Sequence, residues 1–323
     1  MALLLTGGAG FIGSTLLDQL LAQDSWGQIV VVDSFNDAYS PAIKRRNIAH
    51  HAGNPRLELV EADFADADVM RPLFARCKFD YVVHLGARAG VRASLQNPME
   101  FERSNGQATT LILELARQHK CRRVVMASSS SVYGNTNTVP FTEADPCLQC
   151  VSPYAATKRA NEIMAWTFWH LYKMPISCLR FFTVYGPRQR PDMGIHIFTR
   201  SILRGQPVNM FGDGSMSRDF TYVNDIVSGI IATITADTGY EIFNLGNTQT
   251  IRLRELIDVV AEACGQPAKI NQLPMQSGDV DRTWADISKA KKLLGYQPKT
   301  DIRTGVKNFV AWYRENEAFL QQA

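Results

Sequence analysis

The run Thr6-Gly7-Gly8-Ala9-Gly10-Phe11-Ile12-Gly13 constrains this chain more than any other stretch. It follows the apolar segment Leu3–Leu5 directly and leads directly into a helical pattern. Glycines at 7, 10 and 13 permit a tight turn, close approach of the backbone to a pyrophosphate, and close packing of the next helix. A glycine triplet alone is weak evidence. Here a strand precedes it, a helix follows, and Asp33 closes the second apolar run twenty residues after Gly13. An acid there hydrogen-bonds an adenosine ribose and repels a 2′-phosphate, so the expected cofactor is NAD and not NADP.

The segments around this motif alternate. Leu3–Thr6, Ile29–Asp33, Leu57–Val60, Tyr81–Leu85 and Val124–Ser128 read as buried strands. Helical stretches lie between them at Gly13–Gln23, Met70–Arg76 and Gln107–His119. A long helix over Ala155–Tyr172 and a strand at Ser177–Phe182 follow. This order predicts an α/β fold of Rossmann type, a doubly wound parallel sheet with helices on both faces. Beyond about residue 185, Gly, Pro and Arg become dense and the alternation lapses, which suggests a smaller, less regular C-terminal α/β lobe for substrate. Residues 1–182 are expected to form the NAD-binding domain, with 219–246 returning to it through a helix at Asn224–Thr235 and a strand at Glu241–Leu245. The substrate-binding lobe is then 183–323.

Composition excludes several classes. The net charge of +3 gives no global field for nucleic acid or an anionic membrane. No stretch approaches the roughly 18–20 apolar residues of a membrane span, and the short apolar start reads as a first strand and not as a signal peptide. A cytoplasmic location is expected. Six cysteines in 323 residues do not make a disulfide framework. Cys147 and Cys150 form a CxxC with no second ligand pair, so no metal site is expected.

Two further strand ends belong to the cofactor. Asp63 closes the third in Glu61-Ala62-Asp63-Phe64, where a carboxylate can meet the adenine. His84-Leu85-Gly86-Ala87 closes the fourth, where small residues let the cofactor lie close, and His84 reads as a packed strand-end histidine and not a base. The chemistry itself points to Tyr154-Ala155-Ala156-Thr157-Lys158. A spacing of four puts the phenol and the ammonium on one helical face, and a nearby cation favours phenolate, so a lowered tyrosine pKa is expected. Upstream, Ser129 lies in Ser128-Ser129-Ser130-Ser131-Val132-Tyr133-Gly134 at a strand end, where a hydroxyl can relay a proton or hold a substrate oxygen.

The glycine loop, the serine cluster and the Tyr154/Lys158 pair together resemble the extended short-chain dehydrogenases/reductases, and within them the NAD-dependent sugar-nucleotide epimerases and dehydratases. The resemblance covers essentially the whole chain. It implies that Tyr154 is the base, that Lys158 positions the nicotinamide ribose and lowers the tyrosine pKa, and that Ser129 completes the triad. The expected cofactor-binding residues are Gly7, Gly10, Phe11, Ile12, Gly13, Asp33, Asn36, Asp63, Phe64, Leu85, Gly86, Ala87, Asn105, Tyr154 and Lys158.

Dehydratases of this family carry an Asp-Glu pair after the catalytic hydroxyl, and the related decarboxylases place a glutamate before Val-Tyr-Gly. Ser130 and Ser131 stand there in this chain. The acids for elimination or assisted decarboxylation are missing, and 4-epimerisation needs neither. Thr183-Val184-Tyr185-Gly186-Pro187-Arg188-Gln189-Arg190-Pro191-Asp192-Met193 resembles the matching segment of UDP-glucuronate 4-epimerases. So do Arg218-Asp219-Phe220-Thr221-Tyr222, Gly278-Asp279-Val280 and Trp284–Ala290. The resemblance implies Ser129, Ser130, Tyr154, Thr183, Arg190, Arg218, Gln276 and Asp279 as substrate-binding residues. Arg190 would lie near a uronate carboxylate, since a guanidinium offers paired donors. Arg218 would take the diphosphate, and Gln276 and Asp279 the uridine. Gly86 and Arg88 depart from the Ala and Gln usual in relatives, and Arg88 bears on the cofactor contacts.

The same chemistry on a neutral UDP-sugar, a simple dehydrogenase and a non-catalytic NAD sensor stay open at this level. Met164, Trp166, Phe168, Trp169 and Tyr172 crowd one helix, so part of it is expected to meet a second subunit of a homodimer, as in this family.

Overall fold

The computed structural model of the chain describes residues 1–136, 138–275 and 281–323. Its strands are β1 (Leu3–Thr6), β2 (Ile29–Asp33), β3 (Leu57–Glu61), β4 (Tyr81–His84), β5 (Arg123–Ser129), β6 (Ile176–Phe181), β7 (Thr183–Tyr185), β8 (Val208–Phe211), β9 (Ser217–Tyr222), β10 (Tyr240–Leu245), β11 (Thr250–Arg252) and β12 (Ile270–Leu273). Seven of them form one parallel sheet in the order β10-β6-β5-β4-β1-β2-β3. The expected Rossmann-type sheet is therefore present, and each expected strand and helix of the first half lies within a few residues of its expected place.

The inner strands β1, β2 and β4 are apolar along most of their length because both faces of the sheet are covered there, while the edge strand β3 carries Glu58 and Glu61. Along β1, Leu3 and Leu5 join the core on one face and Leu4 the core on the other. The first core holds helix Phe11–Leu21 against helix Val223–Ile234. The second holds helices Ala67–Cys77, Ala108–Gln118 and Pro153–Tyr172. The last of these starts sharply: Ser152 accepts a hydrogen bond from the Ala155 N–H at 3.1 Å, and Pro153 occupies the first turn. It ends at Lys173, which takes a left-handed conformation.

The C-terminal lobe is more regular than its sequence suggests. A three-stranded sheet (β11-β9-β7) and a two-stranded sheet (β12-β8) pack with helices Gly194–Leu203, Leu253–Cys264 and Ile302–Gln322 around Tyr185, Phe198, Ile257 and Phe309. Strands of three to six residues separated by Gly and Pro turns are too short to show a period of their own. Asp219 ties the lobe together. Its buried carboxylate accepts from the N–H groups of Asn247, Thr248 and Ala285 at 2.8, 3.1 and 3.2 Å, and burial raises its pKa to about 6.

The sheet order reverses at β1. Its neighbours β2 and β4 carry the chain away in opposite directions, so the loops after β1 and β4 part and leave a crevice at their C-terminal ends.

Candidate active site

That crevice is a cleft of about 380 Å³, walled by both the main sheet and the lobe. At its sheet end lie Gly7, Gly10, Phe11, Ile12 and Gly13, with Asp33, Asn36, Phe64, Leu85, Gly86 and Ala87. Gly7 adopts φ +70°, and a Cβ on it would come within 2.7 Å of Gly86 Cα, so the two loops touch because neither has a side chain. A Cβ on Gly13 would lie 2.8 Å from Gly8 Cα and run into the Gly7 carbonyl oxygen. The departure at Gly86 has a local cause: a Cβ there would meet the Phe64 ring at 2.6 Å. Asp33 holds the loop from below, accepting from the Ala9 and Phe35 N–H groups at 3.1 and 2.9 Å. The bare backbone, the uncapped start of helix Phe11–Leu21 and the acid at the end of β2 fit a dinucleotide.

Tyr39 and Lys44, which the sequence reading missed, line this end too. The Tyr39 hydroxyl is buried without a hydrogen-bond partner. Lys44 lies 4.8 Å over its ring and donates to the Asn36 carbonyl at 2.6 Å and side chain at 2.8 Å. Both follow Asp33 in a stretch with no periodicity, and only proximity to that acid could have flagged them.

Deeper in the cleft stand Ser129, Ser130, Ser131, Tyr154, Lys158, Thr183 and Arg190. Strand β5 ends in the serines, and the first turns of helix Pro153–Tyr172 supply the tyrosine and lysine. Lys158 Nζ donates to the Ala127 carbonyl at 2.8 Å, and burial lowers its pKa to about 8. Tyr154 differs from expectation. Burial raises its pKa, opposed by hydrogen bonding with Ser129 and by the charge of Arg190. The cation that lowers the phenol here is thus Arg190, with Lys158 engaged by a backbone carbonyl. Behind them, Glu162 pairs with buried Arg180 through two 2.9 Å contacts and accepts from Ser128 at 2.6 Å. This fixes the helix to β5 and β6.

Arg190 is held by Asp192 through two hydrogen bonds of 3.0 and 2.7 Å. Burial would lower its pKa, but these bonds raise it, and the same bonds hold the Asp192 carboxyl below its ordinary range against burial. Two residues earlier, Arg188 pairs with Asp18 at 2.8 Å. Neither arginine is a loose surface charge.

Other expected site residues lie off the cleft surface. Asp63 pairs with Arg103 at 2.8 Å. Asn105 is buried, accepting from the Arg88 N–H at 2.8 Å and donating to the Arg88 carbonyl at 3.0 Å and to Thr157 at 3.2 Å. It shapes the wall through Arg88, whose side chain reaches Glu100 and Asp37 at 3.4 and 3.5 Å. Arg218 lies on β9 and donates to the Ser217 carbonyl at 3.0 Å. Gln276, Asp279 and the Gly278-Asp279-Val280 motif lie outside the described residues. His84 is packed, with Thr6 at 2.7 Å and Thr109 at 3.1 Å, and burial lowers its pKa to about 3. Cys147 and Cys150 are both free thiols.

As an assembly, the cleft can hold a long anionic cofactor at its sheet end and move a proton at Tyr154. Hydroxyls and one guanidinium stand where the rest of a substrate would lie. Residues 4–309 match the family model of GDP-mannose 4,6 dehydratase. The chain is 40% identical over 314 residues to the UDP-glucuronate 4-epimerase of Thermodesulfobacterium geofontis, covering 97% of this chain and 96% of that one. It is also similar to a Bacillus cereus UDP-glucuronic acid 4-epimerase solved with UDP-glucuronic acid and NAD. That likeness has a TM-score of 0.91, 33% identity, and coverage of 98% of this chain and 99% of the other. A Thermotoga maritima UDP-glucose 4-epimerase solved with UDP-glucose also gives a TM-score of 0.91, at 30% identity, covering 98% of this chain and 100% of the other.

Proposed function

The chain belongs to the NAD-dependent epimerase/dehydratase family, that of GDP-mannose 4,6 dehydratase, and on that premise we propose that it is a UDP-glucuronate 4-epimerase interconverting UDP-glucuronate and UDP-galacturonate. The observation that carries this reading is the pairing, in one cleft, of the Tyr154/Ser129/Lys158 group with Arg190, while Ser130 and Ser131 occupy the positions of the acids used for elimination. Support comes from relatives of that name and from the solved neighbour described above.

NAD, held along Gly7–Gly13 and Asp33, supplies a reversible hydride acceptor for C4, so that a 4-keto sugar forms transiently and no external cofactor is consumed. Tyr154 takes the proton of the 4-hydroxyl on its phenolate oxygen and later returns it. Ser129 shares that hydrogen bond and steadies the phenolate. Lys158 would hold the nicotinamide ribose. Arg190, Thr183 and the Ser130 hydroxyl hold the uronate carboxylate. A 4-keto uronate is a β-keto acid, which loses CO₂ when its carboxylate bond aligns with the ketone. Fixing the carboxylate away from that alignment protects the intermediate. Arg218 serves the diphosphate.

In this reading residues 1–182, with helix Val223–Ile234 and β10, hold the cofactor; residues 219–222, expected with them, form part of β9 in the lobe, which takes the sugar nucleotide. The protein acts as a homodimer. Helix Pro153–Tyr172 buries Ala165 and Phe168 but leaves Ile163, Trp166 and Leu171 at 53, 46 and 60% exposure, an apolar face suited to a second copy. Among the described residues no helix is long and apolar enough to cross a membrane. A cytoplasmic enzyme making polysaccharide precursors fits this reading.

One observation favours a second substrate class. Arg190 is already neutralised by Asp192, so a neutral UDP-sugar could bind without disturbing the pair. The deciding experiment follows UDP-glucuronate by proton NMR with purified protein and only the NAD that it carries. UDP-galacturonate should appear without NADH build-up or CO₂ release. Conversion of UDP-galactose with no change in the uronate would transfer the assignment to the neutral sugar.

A further inference from the structure

Asp18 of helix Phe11–Leu21, which does not line the cleft, meets the two histidines that end the short helical turn Ala49–His51. His50 Nε2 and His51 Nε2 lie 3.0 and 2.7 Å from the same Asp18 oxygen. The three donor atoms all fall within 4.8 Å of one another, and the imidazole centroids are 4.0 Å apart. Consecutive side chains rarely point the same way on a helix. Their shared acceptor on Asp18 brings these two together.

We propose that Asp18, His50 and His51 bind a late first-row divalent cation of the zinc class. The case is first geometric. Bonds of about 2.0–2.1 Å in a tetrahedral zinc site place neighbouring ligand atoms about 3.3 Å apart. The two measured N···O edges are within roughly half an ångström of that, so the ion seats by small side-chain movements. His50 is half exposed and free to make most of the adjustment, while His51 is nearly buried and fixes the site. The open side admits the ion and leaves room for water as a fourth ligand.

Chemistry then selects the ion. Arg188 occupies the other Asp18 oxygen at 2.8 Å, so this carboxylate offers one oxygen and carries little net charge. Calcium and magnesium, which demand many oxygen ligands, gain little here. Two imidazoles and one oxygen suit cobalt, nickel, copper or zinc. The nearby guanidinium repels the incoming ion, which sets the affinity in the micromolar range and not tighter. Binding needs no redox partner: each imidazole offers the ion its Nε2 lone pair, with the ring proton on Nδ1.

The test titrates the purified holoprotein with Co²⁺, following the visible absorption that a four-coordinate cobalt site produces, and then displaces it with Zn²⁺. One equivalent should bind, and His51→Ala and His50→Ala should each weaken it at least about tenfold while turnover without metal stays as in the parent. Should His51→Ala fail to fold, His51→Gln keeps a hydrogen bond to Asp18 but is a poor ligand, and must show the same loss. Equal cobalt binding by the parent and the His50→Ala/His51→Ala double variant would overturn the proposal. So would no binding by the parent at about millimolar ion.

Discussion

The two ends of the cleft are made of different material. The end proposed for the cofactor is made of backbone: Gly7, Gly13 and Gly86 contribute by having no side chain, and their loops touch through main-chain atoms. The sugar end is made of side chains from separate segments: serines after β5, Tyr154 from a helix, Thr183 from β7 and Arg190 from the loop beyond it. A site made from backbone tolerates almost nothing and fails all at once. One made from side chains fails by degrees, and its members tune one another's charge.

The sharpest way to break the backbone end is Gly13→Ala. The new methyl would press on Gly8 Cα and the Gly7 carbonyl, main-chain atoms with no room to yield. We expect protein that purifies without NAD and is inactive, read by heat release and chromatography of the nucleotide. Retained NAD would show that the loop has slack that the geometry does not display. Tyr154→Phe should do the opposite: NAD content unchanged, and kcat lower by about 10²–10⁴-fold for loss of the proton-transfer group. If this variant also lost NAD, the two ends would be one unit and the contrast would fail.

The same contrast explains what could be read from sequence. Glycine spacing and the acid twenty residues on are local, so the cofactor end was legible along with the alternating strands. The Tyr154/Lys158 pair was legible for the same reason, since helical spacing fixes it. The sign of the Tyr154 shift was not, because it depends on burial and on Arg190, thirty-six residues away, while Lys158 is diverted to the Ala127 carbonyl. Asn105 was expected at the cofactor but works through the Arg88 backbone, a relation only the fold creates. Tyr39 lies in a bend and Lys44 in the short helix Pro41–Ile48, neither with a period long enough to read, and the short strands of the lobe share that silence.

Arg190→Ala probes the side-chain end with a smaller effect. Losing the carboxylate's guanidinium should cost about 10–100-fold in kcat/KM on UDP-glucuronate, the range of one charge-assisted hydrogen-bonded contact. UDP-galactose should be nearly unaffected. The charge of Arg190 also favours the Tyr154 phenolate, so its removal raises the phenol's pKa further. The ascending limb of the pH profile must then move to higher pH. A uniform loss on both sugars with an unmoved limb would make Arg190 structural.

Asp192→Asn gives the smallest and most informative change. Asp192 is 58% exposed and neutralises Arg190 in the free cleft, so the uronate must displace an internal carboxylate to reach the guanidinium. Asparagine keeps a hydrogen-bond acceptor for Arg190 but removes that competition. The KM for UDP-glucuronate should fall by about two- to fivefold, the worth of a partly exposed ion pair, with the KM for a neutral UDP-sugar unchanged. Unmasked, Arg190 favours the Tyr154 phenolate more strongly, so the ascending limb should shift to lower pH, opposite to Arg190→Ala. A rise in KM with the limb unmoved would mean that Asp192 orients Arg190 instead of masking it. The sugar end would then be as preorganised as the glycine loop, and its selectivity for a carboxylate would rest on geometry and not on exchange of charge.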